Sequence, residues 1–169
     1  MEEIEFSLFF KVLAFAVPLS LFTVSSISSS ELKAGAAKRA ITPEMNVYLA
    51  GLDNNRLSTG IHDDIYARCL LLDDGETKLG IVSLDIIGLP MHYTLEVQQM
   101  LRRYGIYGEN IILTCTHQHS GPDTIGLWGP EEFETGVNPE YMEYLCERIV
   151  EAVREAEMSM EPAALKLAS

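Results

Sequence analysis

Two apolar, β-prone runs, Tyr66–Leu72 and Leu79–Leu84, flank Asp73-Asp74-Gly75-Glu76. Asp-Gly between such runs predicts a β-hairpin. From His92 to Tyr104 the period lengthens: Val97, Met100, Leu101 and Tyr104 mark one face of a helix, and Gly105 is placed to end it. Asn110–Thr116 ("NIILTCT") returns to strand character. Strand, crossover helix and strand predict a βαβ unit whose strands run parallel. A second helix is signalled by Asn138 as N-cap, Pro139 at the first helical position, and a stripe of Met142, Leu145, Ile149, Ala152 and Val153. Leu32–Glu44 reads as a short strand closed by Thr42-Pro43, and Ala163–Ser169 as the beginning of another. Asn46–Asp64, rich in Gly, Asn and Asp, reads as a long loop. Loops beyond about 12–15 residues in a compact domain are more often functional than idle. The expected fold is α/β, a mixed sheet with a β-hairpin and a βαβ unit. The final strand looks cut short, which predicts an incomplete domain.

Phe6–Ser26 is almost wholly apolar and runs into serines. Residues 1–30 are therefore expected to be a signal peptide or membrane anchor, with export favoured, although "MEEIE" is acidic where a basic start is usual. Residues 31–169 remain for one domain. The 169-residue chain is 47% hydrophobic with a formal net charge of −13, which argues against nucleic acid and anionic surfaces as partners. Cys69, Cys115 and Cys146 have no metal-finger spacing and read as small buried side chains.

Candidate chemistry concentrates in "LTCTHQHSGPD" (Leu113–Asp123), which holds two of the four histidines. Ligands of parallel sheets collect beyond the carboxyl ends of the strands. Asp85 and His117 would end the two strands of the βαβ unit and open onto one crevice. Extended backbone would point His117 and His119 to the same side and Gln118 to the other. Paired neutral imidazoles suit zinc, but spacing alone leaves open a strand cap and a loop hydrogen bond. His62, beside Asp63 and Asp64, and Asp85 are candidates to orient a metal ligand from behind, or else a surface pair and a structural carboxylate. His92 reads as solvent-facing, and Trp128 as packed or lining a pocket. Thr116, Ser120 and Asp123 are further candidates near the site. There is no G-x-S-x-G elbow, P-loop, or G-x-G-x-x-G after a strand.

"KAGAAKRAITP", "TGIHDDIYARCLLLDDG", "LGIVSLDIIG" and "NIILTCTHQHSGPD", in that order, resemble the N-terminal part of the neutral/alkaline ceramidases from about residue 32 onward. The resemblance implies a Zn2+-dependent amidase of a lipid-like N-acyl substrate, exported or associated with a membrane surface. It implies that His117 ligates the metal and His119 assists as a hydrogen-bond or proton-transfer group. It also implies that a further histidine, a glutamate, a tyrosine and an active-site serine come from later segments, so that the 169 residues alone are inactive. Gln118 stands where ceramidases usually have threonine, and Asp123-Thr124 replace a glycine-rich continuation, which bears on substrate more than on metal. Two alternatives are an exported, non-catalytic ligand-binding module and a related hydrolase of another amide or an ester.

Overall fold

The computed structural model describes residues 31–166; the proposed signal or anchor at 1–30 lies outside them. Five strands form one mixed sheet in the order β4-β3-β2-β1-β5. They are β1 (Lys33–Ala40), β2 (Tyr66–Asp73), β3 (Lys78–Leu84), β4 (Ile111–Cys115) and β5 (Glu161–Pro162), with helices α1 (Met91–Arg102) and α2 (Pro139–Met158).

β2 and β3 pair antiparallel around the predicted turn. Gly75 takes φ +87° there. Asp73 accepts from the Gly75 N–H, and Asp74 from those of Glu76 and Thr77. These bonds stabilise the ionised form of Asp74 and hold its carboxyl below the usual range. β3, α1 and β4 form the expected βαβ unit, β4 pairing parallel to β3. Gly105 follows α1 at φ +77°, and the Asn138 side chain caps α2 by accepting from the Tyr141 N–H.

The last strand differs from expectation. β5 is Glu161–Pro162, paired to Lys33 and Ala34 of β1, and Ala163–Lys166 carry no strand. Backbone pairing places it there, with the Ala163 N–H donating to Leu32 as the last bond; apolar pattern plays no part.

One face of the sheet is covered by α2, whose Leu145, Ile149, Ala152 and Val153 are fully buried, and α1 adds Val97 and Leu101 to the same core. A Cβ on Gly35 would lie 1.9 Å from the Ala156 carbonyl oxygen, so glycine is what lets α2 sit on β1. The opposite face has Ala36, Leu70, Ile81 and Ile112 in register across four strands. The last three are 40–51% exposed.

Candidate functional site

The β3 and β4 ends do lie side by side. The Thr116 N–H donates to the Leu84 carbonyl and the His117 N–H to that of Ile86. One step along β4 is thus matched by two along the chain after β3, and the pleat breaks. His117 adopts φ +59°, a left-handed conformation that costs a non-glycine residue about 1–2 kcal/mol. The extended run predicted through His119 therefore ends earlier. The two imidazoles still meet, by a turn rather than by strand periodicity, with centroids 4.9 Å apart at an interplanar angle of 74°. Both histidines are exposed.

The His117 ring is oriented by its own fold. Nδ1 lies 2.8 Å from the Ile87 carbonyl oxygen. A carbonyl only accepts, so Nδ1 carries the proton and donates. In the neutral ring this leaves the lone pair on Nε2, the form in which an imidazole ligates a metal.

Gln118 turns inward as a clamp. Its Nε2 donates to the Asp85 carbonyl at 3.1 Å and its Oε1 accepts from the Ser120 N–H at 2.7 Å. Gly121 must be small for this, since a Cβ there would lie 1.9 Å from Gln118 Nε2. Asp85 therefore supports the motif through its backbone. Its carboxylate faces away, accepting from the Tyr66 N–H at 3.0 Å and from Arg68 at 2.6 Å. His62 does not join the pair either. Its side chain is 97% exposed, bonded to Asp63 at 2.5 Å, on the far wall of a cleft whose near wall includes Gln118 and Ser120.

The long loop is ordered against the motif. The Ala50 N–H donates to Gly121 and the Asp123 N–H to Tyr48, so Tyr48–Ala50 run beside Gly121–Asp123. Gly51, at φ +93°, fits directly under His119, where a Cβ would come 2.3 Å from the histidine Cβ.

Asp123, 1% exposed, organises the chain segment beyond the motif. Oδ1 accepts from the N–H groups of Ile125, Gly126 and Leu127, and Oδ2 from those of Trp128 and Gly136. One carboxylate thus closes residues 123–136 into a compact loop, which Asn55 joins by donating to the Gly129 carbonyl. Trp128 is half-buried in this loop and does not line the cleft; Thr116 and His92 are exposed.

Sequence reasoning missed Gly51, the Ile87 carbonyl and the clamping role of Gln118. Only "LAGLD" held a signal, a glycine in a long loop. A backbone carbonyl leaves none.

The family model for the neutral/alkaline non-lysosomal ceramidase, N-terminal, matches residues 32–169. The chain belongs to this family. Neutral ceramidase B of Dictyostelium discoideum is 28% identical over 160 residues, 89% of this chain and 22% of that protein. The crystal structure of neutral ceramidase from Pseudomonas aeruginosa superposes with a TM-score of 0.66 at 23% identity, covering 78% of this chain and 22% of that one. A ceramidase complexed with C2 gives 0.65 with the same identity and coverage. These likenesses establish the α/β mixed-sheet fold. The chain spans about a fifth of the length of the relatives it matches.

Proposed function

We propose that this ceramidase-family chain contributes the paired-histidine edge of a zinc-dependent amidohydrolase that cleaves the N-acyl bond of ceramide-like lipids. The observation that carries the reading is the His117 imidazole, its Nδ1–H fixed on the Ile87 carbonyl and its Nε2 free, beside the His119 ring.

The donor set fits zinc in part. Neutral imidazole is an ordinary zinc ligand, but a catalytic site takes three protein ligands. No group of three His, Cys, Asp or Glu side chains among the described residues is placed to hold an ion, so closing the site takes donors from outside them. Bound zinc supplies Lewis acidity and a water with a pKa near 7. In this reading the chain's own part is to present His117 Nε2 at a fixed angle and to hold His119 beside the reacting amide, where its imidazole accepts and returns a proton. Gly51 and the Gln118 clamp keep both rings in place. Export through residues 6–26 belongs to the same proposal.

Zinc titration followed by imidazole NMR tests the metal half. The expected result is weak uptake that perturbs His117 and His119, is lost in His117→Ala and is kept in His92→Ala. Uptake unchanged by His117→Ala refutes the assignment. The reaction is tested on an N-acyl sphingoid substrate with the longest form of the protein that can be purified. Hydrolysis by wild type and none by His117→Ala is expected, and equal rates refute it.

A further inference from the structure

The loop Asn46–Asp64 carries one arginine, Arg56, no lysine, and three acids, Asp53, Asp63 and Asp64. Asp63 is bonded to His62, and Asp64 accepts from the Thr42 hydroxyl. Arg56 is half-buried, and its Nη1 is shut off from solvent with no hydrogen-bond partner among the described residues. The other half-buried arginines are served. Arg39 pairs with Glu151 and Glu155, Arg148 with Glu151, and Arg154 lies 4.0 Å from the centre of the Tyr104 ring. A guanidinium taken partly out of water without an acceptor is costly, and an anion that arrives at its open side meets a charge that water screens poorly.

The backbone that carries Arg56 is fixed on both sides. The Leu49 N–H donates to the Arg56 carbonyl and the Ser58 N–H to that of Val47, while Tyr48 bridges Leu57 and Leu49 bridges Pro122. Residues 56–58 are thus the outer row of a three-row ladder whose inner row, residues 121–123, follows the paired histidines. On the other side Asn55, at φ +57°, donates to the Gly129 carbonyl. A backbone already ordered adds little to the cost of binding. The planar fork of arginine matches a carboxylate through two parallel N–H···O bonds, and a turn about the terminal torsions brings Nη1 onto the same anion. One cation among three acids suits a single negative charge, whereas a phosphate dianion would meet the same cation and more repulsion. Leu52 and Leu57, both exposed on this stretch, offer contact to a hydrocarbon body.

We propose that Arg56 receives the carboxylate of a small-molecule monocarboxylate with an apolar body. Occupancy of this position needs neither zinc nor turnover, so the inference goes beyond the amidase reading and stands or falls without it.

The test uses octanoate as probe, octanamide as its uncharged counterpart and the 169-residue chain as the protein. Affinity comes from NMR titration, and the Arg56 Nε–H resonance is the local reporter. One-to-one octanoate binding that shifts Arg56 Nε–H and the amides of residues 56–58 is expected, with octanamide about tenfold weaker. Arg56→Gln should bring octanoate down to the octanamide level, a loss of about tenfold, and His117→Ala should bind as wild type. Without probe, Arg56→Gln should unfold at the wild-type temperature or above it, because no internal ion pair is lost; its loss of binding is then not a loss of fold. Absence of octanoate binding, equal affinity for octanoate and octanamide, wild-type affinity in Arg56→Gln, or loss of binding in His117→Ala overturns the proposal. A clear fall in the Arg56→Gln unfolding temperature also overturns it, since a carboxylate of the chain itself would then already serve the guanidinium. Octanoate binding without zinc uptake leaves this inference standing and removes the amidase reading. Zinc uptake without octanoate binding does the reverse.

Discussion

Asp123→Asn changes one atom pair, and its cost can be worked from the two oxygens. In wild type Oδ1 serves three N–H groups and Oδ2 serves two. An asparagine has one acceptor oxygen, and its amide nitrogen can only donate. The better arrangement keeps the oxygen at the three-donor position and turns the NH2 toward Trp128 and Gly136, whose N–H groups lose their partner. Leaving a buried donor unsatisfied costs about 1–3 kcal/mol. Gly136 is buried and Trp128 half-buried, so the sum is set near the lower end, roughly 3 kcal/mol. For a chain of this size each kcal/mol moves Tm by about 2–4 °C, giving a fall of ~6–12 °C. Asp123→Ala, which orphans all five donors, should fall further. Thermal unfolding by circular dichroism measures the shift, and hydrogen exchange shows whether the Gly126, Trp128 and Gly136 amides lose protection first. A fall below about 2 °C with protection unchanged would refute the view that this carboxylate organises the loop.

Gly51→Ala should destabilise the chain by about 2–4 kcal/mol, from a positive φ and from overlap with His119; urea denaturation combined with imidazole NMR checks it, and an unshifted His119 resonance in a fully stable variant counts against the packing argument. Burial pushes the thiols of Cys69 and Cys146 up to about 12 from an ordinary value of 9.0. Raised folded values contribute stability that is complete below the unfolded pKa, so the urea midpoint should hold up to about pH 9 and decline steadily toward pH 12. Replacing both cysteines by alanine should flatten that decline, and an equally steep slope in the double variant would assign it elsewhere. The 169-residue chain should not hydrolyse an N-acyl sphingoid substrate in the presence of zinc, since two imidazoles do not complete a catalytic site; sustained turnover by pure chain would show that a third ligand lies within it.

The elements legible in the sequence are those whose signal is local. The apolar, β-prone runs of β2 and β3, Asp-Gly at their turn, and Asn138-Pro139 before the α2 stripe are each written within one segment. The site is different, because its geometry is assembled from backbone groups brought together by the fold. His117 leaves the pleat because its N–H reaches past Asp85 to Ile86, and nothing in "CTHQH" encodes the register of a strand some thirty residues away. Asp123 is one of 25 acidic residues, distinguished only by five donors that converge on it after folding. Asp85 does lie at the strand end, as its position predicts, but its carboxylate has the Arg68 guanidinium on the neighbouring strand as partner. β5 is hidden from pattern reading because Glu161–Pro162 pairs through its backbone and presents no apolar periodicity.

The in-register row Leu70, Ile81 and Ile112 bears on how the chain behaves as a colloid. An open apolar sheet face favours contact between copies, while a formal charge of −13 keeps them apart over a Debye length of about 8 Å at physiological ionic strength. The balance is set by salt. At low ionic strength repulsion dominates and scattering should report single chains; at about 1 M, where the Debye length shrinks to roughly 3 Å, the bare faces should find each other. Ile81→Lys, placing a charge at the centre of the row, should leave the chain dispersed at both.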